Sequence, residues 1–320
     1  MTETRPNDNN RLPTDPFRCG FIALVGRTNA GKSTLVNTAT GEKVSITSPK
    51  PQTTRNRIRA IINMPERAQL IFVDTPGVHA WQKRALNRAM VETAMTAIGD
   101  ADCTLLLIDA TAALTPQGDV DPLEKAIIEE VARAKAKTVL AINKCDLLPH
   151  PEALLPIIDA YAKAHEFAKI LPLSARDGKG LPALLEALIA QLPHGPALYP
   201  EDLYTDQAER FLAAEILREV IIRETQKELP YSVMVQIEDF KEDRAANRIA
   251  ISAVIHVERP SQKGILIGKG GTKLKAIGIA TRQEFERLLG CHIDLRTHVR
   301  VAEAWPEDPR SLRRFGYIEE

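Results

Sequence analysis

Through the first two thirds of the chain, short apolar runs alternate with segments whose apolar residues recur at helical spacing. Runs too short for a helix and rich in β-branched residues are typical of buried strands. The predicted strands are 21–25, 58–64, 69–73, 103–108, 138–142 and 169–173. The predicted helices are 32–38, 83–98, 123–136, 151–165 and 181–191. This alternation indicates an α/β domain with a mostly parallel sheet and helices on both faces.

The alternation stops at residues 192–204, where three prolines and a glycine indicate a linker. Beyond it the order is helix, strand, strand, helix, loop, helix, strand, which predicts an α+β domain. The elements are helix 206–227, strands 231–237 and 248–257, residues 264–267 leading into a glycine-rich loop, helix 273–289 and strand 292–301. The predicted divisions are a disordered tail 1–16, a first domain 17–191, the linker 192–204, a second domain 205–303 and a C-terminal tail 304–320.

Composition adds few constraints. The 320 residues are a prior for about two domains, and 44% hydrophobic with 26% charged residues is ordinary for soluble protein. Lys plus Arg and Asp plus Glu both number 42, so any basic surface must be local. The four cysteines form no C-x-x-C pair, which argues against a zinc site. The polar residues 1–16 lack the apolar stretch of a signal peptide, and no apolar run reaches membrane-spanning length.

A phosphate-binding loop is predicted after the first strand, because the chain there fits the pattern G-x-x-x-x-G-K-[ST]. Backbone N–H groups of such a loop and the following helix N-terminus surround phosphates. We expect Lys32 to reach the β- and γ-phosphates and Ser33 to bind Mg²⁺. The predicted nucleotide-binding residues of this loop are Gly26, Arg27, Thr28, Asn29, Ala30, Gly31, Lys32, Ser33 and Thr34.

Guanine recognition is predicted from Asn143-Lys144-Cys145-Asp146, which follows a predicted strand. Asp146 can accept hydrogen bonds from guanine N1–H and the exocyclic amine, donors that adenine lacks. We expect Lys144 to lie along the base and Asn143 to tie this loop to the phosphate loop. Ser174 and Ala175, again after a strand, are expected to offer a backbone N–H to the guanine carbonyl.

A second phosphate-side element is Asp74-Thr75-Pro76-Gly77. Asp74 follows a strand and is expected to hold Mg²⁺ through water, and Gly77 to place its N–H beside the γ-phosphate. In the segment 49–55, Thr54 is preferred over Thr53 as the ligand that completes the Mg²⁺ shell and is released when the γ-phosphate is lost.

Lys32, Thr54 and Gly77 are the predicted catalytic residues. The residue after Gly77 is Val78, where Ras-like enzymes have a glutamine that orients water. We therefore expect slow hydrolysis of GTP to GDP and phosphate. Asn29 matches the asparagine that helps hold K⁺ in GTPases with a hydrophobic residue at that place, so K⁺ dependence is a hypothesis.

An RNA-binding loop is predicted at Gly268-Lys269-Gly270-Gly271, since a glycine-flanked turn lets a nucleic-acid backbone approach closely. Basic residues outnumber acidic ones between 261 and 300, which favours phosphate contacts on a neutral protein. The predicted RNA-binding residues are Ile265, Ile267, Gly268, Lys269, Gly270, Gly271, Lys273 and Lys275.

Together these elements resemble the bacterial Era GTPases from about Phe17 onward, in the phosphate loop, Pro51-Gln52-Thr53-Thr54-Arg55, the guanine loop, the glycine-rich loop and the ending 305–317. The resemblance implies a P-loop GTPase domain and a type II KH domain, with GTP or GDP and Mg²⁺ as ligands. It also implies a cytoplasmic bacterial monomer that binds the 3′ region of 16S ribosomal RNA, assists assembly of the small (30S) subunit and associates peripherally with the inner membrane. Thr28 and Ala30 depart from the Pro and Val common in that family.

Two alternatives stay open from the residues alone. The chain could be an RNA-binding assembly protein whose nucleotide domain only senses GTP with negligible turnover, an interpretation that Val78 supports. It could also be a P-loop ATPase or kinase, against which the guanine-type loop at Asn143 argues.

Overall fold

The computed structural model describes residues 16–78 and 84–318. Two sheets organise the chain, a six-stranded sheet of order β2-β3-β1-β4-β5-β6 and a three-stranded sheet of order β7-β8-β9. In the first sheet only β2 runs antiparallel, against β3. The strands of the first sheet are β1 Arg18–Val25, β2 Ile58–Met64, β3 Ala68–Asp74, β4 Cys103–Asp109, β5 Thr138–Asn143 and β6 Lys169–Pro172.

Helices cover both faces of this sheet. They are α1 Lys32–Thr40, α2 Ala85–Asp100, α3 Pro122–Arg133, α4 Leu154–Ala164 and α5 Leu181–Ile189. One buried cluster joins the sheet to α1 and α5 through Leu35 and Leu184, and another joins its opposite face to α2, α3 and α4 through Ala94, Ile127 and Ile157. The predicted α/β fold class is therefore confirmed, and the carboxyl ends of β1, β3 and β5 meet at one edge, where open α/β sheets bind ligands.

The second domain places its helices against its small sheet. Its elements are α6 Glu209–Glu224, α7 Leu229–Ser232, β7 Met234–Asp243, β8 Arg248–Val257, α8 Pro260–Ile267, α9 Thr272–Leu289 and β9 His292–Val301. Strands β7 and β8 are antiparallel, and β9 runs parallel to β8. Apolar residues of α6, such as Leu217 and Ile221, pack with Ile277 and Phe285 of α9 in one core.

The segment after β9 is folded as part of the molecule as far as residue 318. It contains α10 Pro309–Arg314. Trp305 is fully buried, and its Nε1 donates to the Ser232 carbonyl at 3.0 Å. The same cluster includes Leu86 and Met90 of α2, so the segment predicted as a C-terminal tail packs against both domains.

Some predicted bounds were wrong. Tyr231 and Ser232, predicted in a strand, lie in α7, and the strand starts at Met234. The predicted helix 151–165 is broken into a 3₁₀ turn at Pro151–Ala153 and α4. The predicted helix 123–136 ends at Arg133, and Lys135 takes a positive φ of 53°.

The predicted disordered tail lies outside the described residues up to position 15, as do Lys83, the first residue of a predicted helix, and positions 319–320. Within residues 16–78 and 84–318, no helix combines the length and apolarity needed to cross a membrane.

Candidate nucleotide and RNA sites

The predicted phosphate loop connects β1 to α1 in a conformation that requires glycine at both ends. Gly26 has a φ of 151°, and a Cβ there would lie 2.2 Å from the Leu107 carbonyl oxygen. Gly31 has a φ of 102°, and its Cβ would lie 2.2 Å from Asn143 Nδ2. Side chains are therefore excluded at both positions, and the backbone between them encloses a concave surface that opens at the N-terminus of α1.

Lys32 points back into this loop and is almost fully buried. Its Nζ donates to the carbonyl oxygens of Gly26 and Arg27, both at 3.0 Å. Burial lowers the pKa of Lys32 to about 8, and the nearby Asp74 carboxylate opposes that shift. Anionic phosphates in the loop stabilise the charged form of such a lysine.

Three hydroxyl groups and one carboxylate converge beside Lys32. Ser33 Oγ donates to Asp74 Oδ2 at 2.8 Å and lies 2.8 Å from Thr54 Oγ1. Ser45 Oγ also donates to Asp74 Oδ2, at 2.9 Å. Among the described residues Asp74 Oδ1 has no hydrogen-bond partner, and burial raises the pKa of this carboxyl group. An orphaned carboxylate oxygen among hydroxyl oxygens fits a hard divalent cation such as Mg²⁺.

The Asp74–Gly77 loop packs directly on the phosphate loop. Thr75 is buried and donates to the Leu24 carbonyl at 2.8 Å. A Cβ on Gly77 would lie 2.6 Å from Thr28 Cα, so only glycine allows this approach. Val78 pairs with the phosphate loop through its backbone, and Pro76 is buried beside it. The residues after Val78, 79–83, lie outside the described part of the chain.

The predicted guanine loop is tied to the phosphate loop. Asn143 Nδ2 donates to the Ala30 carbonyl at 2.7 Å, and Asn143 Oδ1 accepts from the Ala175 N–H at 2.8 Å. Thr38 of α1 donates to the Ala175 carbonyl at 2.7 Å. Ser174 is buried next to it. One side chain therefore joins its own loop to the phosphate loop and to the Ser174–Ala175 loop.

Charged groups that sequence analysis missed complete this edge. Lys144 Nζ pairs with Asp109 at 2.6 Å, and Asp146 pairs with Arg176 at 2.9 Å. Arg27 pairs with a third missed residue, Asp121, at 3.0 Å. Asp109 carried the same signal as Asp74, a carboxylate directly after a buried strand, whereas nothing local distinguished Arg176 or Asp121.

Asn29 lies at the mouth of the phosphate loop with a φ of 63°, and its Nδ2 donates to the Pro49 carbonyl at 2.8 Å. A cavity of about 480 Å³ opens here. Its lining includes Asn29, Gly31, Lys32, Ser33, Thr34, Thr54, Gly77 and Lys144. It does not include Asp146, Ser174 or Ala175, which lie beyond Lys144 along the same edge.

The glycine-rich loop joins α8 to α9. Gly268, Gly270 and Gly271 all take positive φ values, of 74°, 59° and 78°. Among the described residues, Lys269, Lys273 and Lys275 form no ion pair, so their charges are available to phosphates. Ile265 is 52% exposed, and Ile267 packs partly against the domain core.

A groove of about 440 Å³ lies between α9 and β9, beside this loop. Of the predicted RNA-binding residues, Gly271 and Lys275 line it, whereas Ile265, Ile267, Gly268, Lys269, Gly270 and Lys273 do not. The apolar lining instead comes from residues that sequence analysis did not select. These are Leu274, Ile279, Ile293 and Leu295. The period of α9 could have indicated Ile279, because it is an exposed apolar residue between Lys275 and Arg282 on the helix surface.

Comparisons with known proteins fit this architecture. The family model described as 50S ribosome-binding GTPase matches residues 21–144, and the KH domain model matches residues 228–306. GTPase Era of Syntrophus aciditrophicus (strain SB) is 50% identical over 95% of this chain and 96% of its own length. GTPase Era of Geobacter metallireducens is 47% identical over 96% of this chain and its full length.

Two solved structures match nearly the whole chain. One is Era in complex with MgGDPNP and nucleotides 1506–1542 of 16S ribosomal RNA, with 40% identity, a TM-score of 0.89, and coverage of 94% of this chain and 99% of that one. The other is a variant of Aquifex aeolicus Era bound to GDP and AlF₄⁻, with 40% identity, a TM-score of 0.88 and the same coverage of both chains. The chain belongs to the Era family of GTPases, with a P-loop GTPase domain followed by a KH domain.

Proposed function

We propose that this GTPase is a switch that binds the 3′ region of 16S ribosomal RNA and assists assembly of the small ribosomal subunit, with RNA binding dependent on the bound nucleotide. The supporting observation is the match over 94% of the chain to an Era that holds both MgGDPNP and that RNA region. A comparison of single-turnover GTP hydrolysis with and without an rRNA 3′-end fragment tests it. Faster hydrolysis with the fragment is expected, and an unchanged rate contradicts coupling.

In the nucleotide site, the phosphate-loop backbone and Lys32 hold the phosphates. Ser33 and Thr54 would hold Mg²⁺ directly, and Asp74 would hold it through water. The ion, when bound, neutralises charge that develops on the transferring phosphoryl group. Gly77 offers its backbone N–H to the γ-phosphate. These residues position and neutralise the phosphates, and none of them is a general base.

Guanine recognition belongs to Asp146, Lys144, Ser174 and Ala175. The Asp146 carboxylate pairs with Arg176 on the exposed side of the loop. Arg176 itself is 69% exposed, so its head group can swing into water when guanine donors take its place. Asn143 holds the loop at the correct distance from the phosphates through Ala30.

Potassium is the proposed second ion. Val78 cannot orient water, and Asn29 already places its amide against the Pro49 carbonyl at the mouth of the loop. An ion bound between the Asn29 side chain and carbonyl oxygens of this segment would add positive charge near the phosphates. We expect faster GTP hydrolysis in KCl than in NaCl at equal ionic strength. Equal rates would remove K⁺ from the mechanism.

RNA binding is assigned to the α9–β9 groove and the adjoining loop. Bases of a single strand pack against exposed apolar side chains such as Ile279, while Lys269, Lys273 and Lys275 meet phosphates. Ile265 and Ile267 stay predicted contacts at the loop side of the groove.

A second candidate function is a nucleotide sensor with negligible turnover, which Val78 favours because the position lacks a water-orienting side chain. Single-turnover hydrolysis in the presence of RNA separates the two functions. A monomeric state, a cytoplasmic location and peripheral contact with the inner membrane stay predictions from the family resemblance. Co-sedimentation with anionic lipid vesicles tests the last of these.

A further inference from the structure

The segment that connects α1 to β2 lies along the KH domain. Lys43 pairs with Glu219 of α6 at 2.5 Å and with Glu284 of α9 at 2.8 Å. The Thr47 backbone N–H donates to Glu219 at 2.9 Å, and Lys50 donates to carbonyl oxygens at the end of α6. Ile46 is buried in the KH core itself. The segment that holds a predicted Mg²⁺ ligand is therefore anchored in the other domain.

Two further anchors flank Thr54 on either side. The carbonyl oxygen of Thr53 accepts a hydrogen bond from the Arg218 guanidinium of α6. Arg55 donates to the carbonyl oxygens of Val233 at 2.7 Å, Tyr231 at 3.1 Å and Pro230 at 3.2 Å.

Thr54, between these two anchors, faces the other way. Its hydroxyl lies 2.8 Å from Ser33 Oγ at the Mg²⁺ site. The KH domain thus holds the Thr53 carbonyl on one side of Thr54 and the Arg55 side chain on the other, and the Thr54 hydroxyl is directed at the proposed Mg²⁺ site.

The Arg218 guanidinium, which donates to the Thr53 carbonyl, is itself held in a fixed position. Its side chain is 1% exposed, and its Nε donates to Glu215 Oε1 at 2.8 Å. Nη2, which donates to Thr53, also pairs with Glu215 Oε2. A planar guanidinium fixed by a carboxylate has few orientations open to it. A buried ion pair is weak evidence of a stabilising role, because desolvation offsets its attraction. Its clearer consequence here is a fixed donor position.

We propose that Arg218 of the KH domain is a positioning residue for GTP hydrolysis: it holds the Thr53 carbonyl so that the Thr54 hydroxyl stands at the Mg²⁺ site. This rests on the proposed role of Thr54 as a Mg²⁺ ligand. The KH domain therefore contributes to the GTPase site of its own chain, and a change in α6 reaches the nucleotide through one peptide unit.

The proposal predicts a difference between nucleotides that a general loss of stability does not produce. Thr54 completes the Mg²⁺ shell only when the γ-phosphate is present. A misplaced Thr54 hydroxyl weakens binding of the GTP analogue GDPNP with Mg²⁺ and leaves GDP binding unchanged. A structural defect in the GTPase domain weakens both.

The experiment measures Kd for GDPNP and GDP, and kcat for GTP, in the full-length chain. The main variant is Arg218→Met/Glu215→Leu, which leaves no unpaired charge buried in α6. Arg218→Lys keeps the positive charge but lacks the planar guanidinium with its several N–H donors. Arg223→Gln is the matched control on the same helix, since Arg223 is 59% exposed and pairs with its neighbour Glu224.

We expect the double variant to lose at least about tenfold in GDPNP affinity relative to GDP, the size of one hydrogen bond to a charged group. Its kcat falls as well. Arg218→Lys loses a smaller factor, and Arg223→Gln matches the parent. If the double variant does not fold, the GDPNP-to-GDP affinity ratio of Arg218→Lys alone tests the proposal. An unchanged affinity ratio and kcat, or equal losses for both nucleotides, overturns the proposal.

Thr54→Ala separates this inference from the proposed function beneath it. If Thr54→Ala lowers the GDPNP-to-GDP affinity ratio and the Arg218 variants do not, only the role of Arg218 fails. If Thr54→Ala leaves the ratio unchanged, the Mg²⁺ role of Thr54 fails, and the inference fails with it.

Discussion

Asn143 connects the guanine side of the site to the phosphate side through one hydrogen bond, from its Nδ2 to the Ala30 carbonyl at 2.7 Å. The side chain is 2% exposed and uses its other amide atom on the Ala175 N–H. Both ends of the amide are therefore satisfied in a buried position, where an unpaired group is costly. This contact therefore holds the Asn143–Asp146 loop and the phosphate loop at a fixed spacing.

Exchanging Asp146, the carboxylate proposed to recognise guanine, should change base preference. Asp146→Asn replaces an acceptor with a group that can donate, which suits the additional oxygen of xanthine and leaves guanine donors unpaired. We expect GTP affinity to fall by at least about 100-fold and xanthosine triphosphate to become the better ligand. Competition binding with both nucleotides measures this.

Asp177→Asn is the matched control, because Asp177 also pairs with Arg176 but lies two residues after Ala175 and is not a predicted base contact. It should keep the parent's preference for GTP. An Asp146→Asn variant that still binds GTP better than the xanthine nucleotide would refute the assignment.

Stability should depend on pH through Glu124, which lies on α3 beneath the Arg27–Asp121 pair. Burial raises the pKa of Glu124 to about 8 from its ordinary 4.5, with Arg27 opposing the shift and Asp121 and Asp109 adding to it. The folded chain thus binds more protons than the unfolded chain between these pH values. The free energy of unfolding then falls as pH rises through this window, by up to about 1.4 kcal/mol per pH unit from this group.

Glu124→Gln removes this slope, since the amide is neutral throughout. Chemical denaturation at pH 5 and pH 8 should show the variant gaining stability over the parent as pH rises. The exposed Glu129→Gln on the same helix is the control and should run parallel to the parent. A Glu124→Gln curve parallel to the parent would exclude a buried neutral carboxyl group.

A negative charge in the glycine-rich loop should weaken RNA binding without unfolding the domain. A Cβ on Gly270 meets no atom within 4 Å, and its φ of 59° is one that Asp and Asn tolerate. Gly270→Asp places a carboxylate where RNA phosphates are proposed to bind, and we expect at least about a tenfold loss of RNA affinity. Gly270→Asn has the same shape without the charge and should lose much less. Equal losses for the two variants would indicate a backbone effect instead.

The local sequence pattern predicted most helices and strands, but it did not predict contacts between residues far apart in the chain. Strand bounds such as Ile58–Met64 and Arg248–Val257 match the prediction because alternation and turn residues mark them locally. Tyr231 was wrongly assigned to a strand because its apolar neighbours are compatible with either a strand or a helix. In the structure Leu229 and Pro230 begin a helical turn that includes Tyr231.

The residues of the candidate site also fall into those that local motifs predict and those that only the fold brings together. The nucleotide loops are continuous motifs, so their residues could be found from spacing. Arg218 could not, because its partner Thr53 lies 165 residues away along the chain. Nothing in a helix of mixed charge indicates which arginine turns inward. Only the fold shows that Arg218 meets the carbonyl next to Thr54.

The measurement that tests the central claim most directly is binding of a 16S rRNA 3′-end fragment to the full-length chain with GDPNP, with GDP and without nucleotide, at one fixed salt concentration. The account predicts tight binding with GDPNP and Mg²⁺, weaker binding in the other two states, and loss of the tight state in Gly270→Asp. Equal affinity in all three states would contradict a switch that couples nucleotide to RNA.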